Sequence, residues 1–145
     1  MLKKIFAPGA NPFWTNLALF ILRVWLGATI LLNHGLAKLT GFSSMSGGFP
    51  DPLGIGHTAS LALVVFAEVF ASALLVAGLV TRFGALVLAI NMAVAFLSAH
   101  KGALSGEHSG ELPFIYLAGF VALMIAGGGA LSVDRLLFSG KGSQA

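Results

Sequence analysis

The sequence predicts an all-α membrane protein built as a bundle of four transmembrane helices. Three observations predict it. Of 145 residues, 57% are hydrophobic and only 9% are charged, with a mean hydropathy of +0.95; an average soluble domain is about 25% charged, and so few charges cannot cover the surface of a small globule. Four long apolar runs follow one another, each close to the roughly 20 residues that cross hydrocarbon as a helix. None shows the two-residue alternation of a membrane β-strand. The same composition argues against a disordered chain and a fibrous repeat.

Each element has its own signal. Residues 1–12 form a cytoplasmic lead with Lys3 and Lys4, then Pro8, Gly9 and Pro12. The first helix covers about 13–33, with Arg23 in its middle. It is too long for the apolar core of a cleaved leader and closes on Asn33-His34-Gly35 without a small-x-small site, so it is read as a span. Residues 41–56 are rich in glycine and proline, which makes them an irregular loop able to act as a lid or re-entrant piece. The second helix covers about 58–80, with Glu68 near its centre, and a tight turn at Thr81-Arg82 leads into the third, about 83–99, with Asn91 near its centre. A polar connection, 101–111, precedes the fourth helix, about 112–131, which has no charge after Glu111. Gly127-Gly128-Gly129 ends or frays it, and Ser132 caps a short amphipathic turn through Asp134, Arg135, Leu136 and Phe138. The transmembrane domain is thus 13–138, and residues 139–145 are a mobile cytoplasmic tail. The two halves share no repeat.

The basic residues set the orientation. Lys3, Lys4, Arg82, Arg135 and Lys141 fall on one side, and Lys38 and Lys101 on the other. This places both termini in the cytoplasm and the protein in the inner membrane, with the 41–56 and 101–111 loops outside. Histidines 34, 57, 100 and 108 then all lie on the outer side.

Two charges remain within spans. An ionised side chain at mid-bilayer costs about 2.5–3.5 kcal/mol or more, so such residues face the bundle and find partners. Arg23 and Glu68 sit at similar depth in antiparallel helices, so they are expected to pair. His34 lies 11 residues after Arg23 and Glu68 lies 11 after His57, each about three turns along one face. The expectation is a polar seam between helices one and two, with His34 and His57 at its outer mouth. Such a pair serves either as a contact that fixes register or as a proton-accepting, substrate-binding centre; the residues leave both open. Asn91 is expected in a helix–helix hydrogen bond.

Several chemistries lack their residues. With no cysteine there is no thiolate metal site, disulfide or thiol chemistry. No tight ligand spacing supports a metal site, His34 and His100 stand too near helix ends for a strong haem reading, and no serine has a triad around it. The glycine run follows a helix and is no phosphate loop. The scattered basic residues form no nucleic-acid stripe.

The residues in order resemble the DoxX family. Leu22-Arg23-Val24-Trp25-Leu26-Gly27 with His34-Gly35-Leu36-Ala37-Lys38-Leu39-Thr40-Gly41-Phe42 is similar to its opening signature. Glu68 with Leu74 to Arg82, Asn91-Met92 with His100-Lys101-Gly102, and Leu131-Ser132-Val133-Asp134-Arg135 resemble its later ones. The resemblance implies a small four-helix membrane protein and a quinone-linked redox or oxidative-stress accessory subunit, working beside a redox-complex partner or as a homo-oligomer. No resident cofactor is implied in the chain; a quinone would carry the electrons. In that reading Glu68 exchanges protons, and Arg23, His34, Lys38, His57 and Asn91 line the substrate site. The alternatives are a small transporter or channel subunit using Glu68, and an assembly protein without catalysis.

Overall fold

The computed structural model describes residues 12–138. Of the expected cytoplasmic lead, 1–12, only Pro12 is described, and it already begins the first helix; the rest of the lead and the expected mobile tail, 139–145, lie outside the described residues. The chain forms α1 (Pro12–Thr40), α2 (Phe42–Met45), α3 (His57–Ala77), α4 (Thr81–Ala99), α5 (Glu111–Ala126) and α6 (Val133–Phe138). No strand occurs among the described residues. By length and composition α1, α3 and α4 can each cross a membrane; α5, shorter at 16 residues, packs along α4 as the fourth helix of the bundle.

Apolar residues are spent on both sides of the bundle wall. Ile30, Ala71, Leu75, Leu88, Phe120 and Leu123 make the core, and Ala85 and Ala89 let the helices approach closely. Trp25, Leu63, Phe70, Ile90 and Ile125 point outward, which suits a surface solvated by acyl chains.

Helix α1 runs seven residues beyond the expected end at 33. Gly35 does not stop it, because Gly35 is helical (φ −65°, ψ −51°) and serves close approach instead: a Cβ there would collide with the carbonyl of Glu68. About two turns lower, a Cβ on Gly27 would come within 2.8 Å of Val76 and 3.2 Å of the Ser72 carbonyl. These two glycines set the register between α1 and α3. Arg23 falls beside Gly78 and Gly35 beside Glu68. The expected pairing of Arg23 with Glu68 is therefore corrected: matching them by depth displaced α1 by 12 residues, about 18 Å of helix.

The α3–α4 connection is tight, as its sequence predicts, but the turn is 78–80 rather than Thr81-Arg82, which already belong to α4. Gly78 adopts the left-handed conformation (φ 73°), and the N–H groups of Gly78 and Leu79 donate to the Leu74 carbonyl at 2.9 and 3.0 Å. Val80 is also left-handed (φ 43°), a costly conformation for a β-branched residue. It is held by Asp134, whose carboxylate accepts the Val80 N–H at 2.6 Å and the Thr81 N–H at 2.9 Å. Burial pushes the Asp134 carboxyl up, but hydrogen bonds from Thr81 and Val80 and the charge of Arg23 outweigh it and hold the group below its ordinary value. Ser132 caps α6 as expected, accepting the Arg135 N–H at 3.3 Å.

At the other end, residues 46–56 fold back on α3. Asp51 accepts from Ile55 N–H (3.0 Å), Gly56 N–H (2.8 Å) and the Ser60 hydroxyl (2.7 Å). The Ser60 hydroxyl, then the Gly56 N–H, lower the Asp51 carboxyl below its ordinary value. The segment is a lid pinned to the start of α3.

Candidate functional site

Glu68 lies in α3 where the helix widens into a π turn, Phe66–Ala71, and is only 5% exposed. Its partner is Lys38, in the last turn of α1: Lys38 Nζ stands 2.6 Å from Glu68 Oε2, with side-chain exposures of 20% and 7%. Asn91 Nδ2, from α4, donates to Oε1 at 3.3 Å. Both carboxylate oxygens are thus occupied, one by a charge-assisted bond, and three helices meet at one group.

The pair lines a cavity of about 560 Å³ inside the bundle. Ile30 and His34 from α1, Phe49 and Pro50 from the lid, Val87 and His100 from the α4 side, and Tyr116 from α5 complete its wall. Three π segments border it: Leu31–Gly35 carries His34, Phe66–Ala71 carries Glu68, and Ala95–Ala99 carries Ser98. Such turns open the regular hydrogen-bond ladder and recur at functional sites. The cavity is mostly apolar, with donors and acceptors concentrated around a net-neutral ion pair. That arrangement orients an uncharged ligand with hydrogen-bonding groups on an otherwise apolar body.

Of the six residues expected at the site, the structure gathers four: Glu68, Lys38, His34 and Asn91. It does not bring in the other two. Arg23 is 1% exposed and donates through Nη2 to the Leu131 carbonyl at 2.5 Å, with its guanidinium 5.4 Å from the Phe20 ring centre. It fastens α1 to the segment after α5. His57 is exposed, and its Nδ1 lies 2.5 Å from the Phe49 carbonyl, so it holds the lid. The expected seam therefore has Lys38 where Arg23 was placed and His100 where His57 was placed. Tyr116 was missed, although a chain with one tyrosine that sets it inside an apolar span gives a signal. Among the described residues no group of three or more His, Cys, Asp or Glu could hold a metal ion.

Comparison with known proteins matches this architecture to a family. The DoxX family model matches residues 18–101, a stretch that includes Lys38, Glu68 and Asn91. Two uncharacterized proteins of Haemophilus influenzae are each 33% identical to the chain, one over 129 residues covering 85% of both proteins, the other over 120 residues covering 77% of this chain and 84% of the relative. No solved structure matches. The match covers more than half of the chain and takes in the helices that carry the ion pair, so the chain belongs to the DoxX family of membrane proteins.

Proposed function

We propose that the protein is an inner-membrane accessory subunit of a quinone-linked redox or oxidative-stress system, and that its cavity binds the quinone headgroup. One observation carries this reading: a buried Lys38–Glu68 ion pair, bonded by Asn91, forms the polar floor of an otherwise apolar cavity. The residues suit such a headgroup. Lys38 and Asn91 offer donors to carbonyl oxygens, Val64, Val87 and Ile90 offer flat apolar contact, and the neutral pair asks for no ligand charge. A bound quinone supplies the electron chemistry that no side chain of this chain provides.

The chain's own residues position and handle protons. Glu68 is the one carboxylate in the cavity wall and the proton-exchanging group. Lys38 occupies Glu68 Oε2 in the resting pair and, on shifting its bond to a ligand oxygen, leaves that oxygen free to exchange a proton. His34 and His100 stand in the same wall, where histidine can pass that proton on. Arg23 has no place in this scheme. A redox-complex partner or a second copy of the chain completes the electron route.

The test is direct. Protein purified in mild detergent should carry a quinone identifiable after solvent extraction, and Glu68→Gln, Lys38→Met and His34→Ala should each weaken added quinone by about tenfold or more, the loss of one hydrogen bond to a charged group. No extractable quinone and unchanged binding in all three variants would remove the proposal. Solute flux in proteoliposomes that depends on Glu68 would then favour the transporter alternative, and neither result would leave an assembly role.

A further inference from the structure

The cavity has two kinds of boundary. Helices α3 and α4 leave their tight turn in contact, with α4 packed along the second half of α3, residues 66–77. Beyond that point they part. The first half of α3 turns to the end of α1, while the end of α4, Ala95–Ala99, turns to α5. The cavity fills the cleft between the two pairs. Several of its wall residues are also exposed: Leu53 (58% exposed) in the lid, Leu112 (55%) at the start of α5, and in the spans Leu63 (53%) and Phe66 (43%) of α3 and Ile90 (56%) of α4. Leu63, Phe66 and Ile90 lie within membrane-spanning helices, where the medium outside is acyl chain. The lid end is covered instead: Phe49, Pro50, Pro52 and Leu53 fold over the cavity, fixed by the Asp51–Ser60 and His57–Phe49 contacts.

The path from surface to floor is short. Ile90 faces outward while its neighbour Asn91 bonds Glu68, and Phe66 precedes Glu68 by two residues. One helix width, about 10 Å, separates bilayer from ion pair.

The geometry points to lateral access from the lipid: the ligand of the Lys38–Glu68 site is a tailed amphiphile that enters between α3 and α4, its neutral head at Lys38, Glu68 and Asn91 and its apolar tail leaving past Leu63, Phe66 and Ile90. This rests on the ligand-binding role proposed above and adds where the ligand comes from and what shape it must have. A headgroup entering from water would have to displace the lid; one arriving in the plane of the membrane crosses only mobile apolar side chains.

The experiment uses the full chain in lipid nanodiscs and a benzoquinone whose alkyl tail ends in a photoreactive diazirine. Irradiation should place adducts on Leu63, Phe66 or Ile90, and an excess of tailed quinone without the diazirine should suppress them by about tenfold. The double variant Phe66→Trp/Ile90→Trp should slow association and dissociation together, each by about tenfold, because a narrowed cleft acts on passage in both directions. Saturable binding with adducts on Phe49–Leu53 would overturn lateral access and leave the quinone site standing. So would association that ignores the tryptophans but quickens when Asp51→Asn loosens the lid. Absence of any saturable binding would remove the quinone reading, and lateral access with it.

Discussion

At the scale of single residues, two charged side chains are buried among the described residues, Arg23 and Glu68, and each has its own partner, although Arg23 Nε and Nη1 are left without one. Removing one member of a buried pair strands the other, so Lys38→Met and Glu68→Gln should each lower stability by up to about 3–5 kcal/mol, with Glu68→Gln the milder because the Lys38 it strands keeps some contact with solvent. The double variant should recover part of the loss, since no charge is then left unpaired; thermal unfolding in detergent checks the order. Arg23→Lys should cost about 1.5–3 kcal/mol, the worth of a hydrogen bond to a charged group, because a lysine cannot both reach the Leu131 carbonyl and lie over Phe20. Quinone affinity should stay unchanged in it, and a fall in affinity would return Arg23 to the site. The sequence shows that Arg23 and Glu68 need partners, because hydrocarbon makes solitary charge expensive. It does not show which partners, because that depends on how two helices slide past one another.

At the scale of elements, sliding is decided by small residues rather than by charges. Gly35→Ala should push α1 off the Glu68 carbonyl, pull Lys38 from its carboxylate, lower the melting temperature and abolish ligand binding. Gly47→Ala, where a Cβ meets nothing, should do neither. The short α3–α4 connection and the Ser132 cap were legible from local chemistry. The continuation of α1 to Thr40 was not, because a glycine after Asn33-His34 looks like a helix stop until the backbone it packs against is known. The role of Asp134 as a remote cap for α4 was hidden for the same reason: it joins positions 54 and 53 residues apart. Asp134→Asn should cost about 0.5–2 kcal/mol at neutral pH, as other cap losses do. Because the folded Asp134 carboxyl lies below its ordinary value, its stabilising share is complete above the unfolded value of about 3.9 and drains away as pH falls through the folded one. Melting temperature against pH from 6 to 2.5 should therefore decline less steeply in Asp134→Asn than in the parent.

At the scale of the molecule, the bundle is closed at the α3–α4 turn and parted at the lid, and the basic residues predict which end is which. The chain has no cysteine, so single replacements can be read without background: Arg82→Cys should react with impermeant maleimide only from the cytoplasmic face of oriented vesicles, and Ser105→Cys only from the opposite face. The reverse pattern would invert the topology. Class and helix count were plain from composition because lipid imposes one solution on an apolar chain, whereas the cavity arises from where helices part, which no single segment encodes. The Arg23 anchor also has a temporal side. The acceptor that Arg23 bonds lies 108 residues downstream, so at about 5–20 residues per second the ribosome takes roughly 5–20 seconds to deliver it. Until then the nascent first helix holds an unquenched guanidinium. A message truncated before Leu131 makes a product that can never quench it, and such a product should be cleared by membrane proteases while the full-length chain accumulates. The completed end of the chain thereby certifies its beginning.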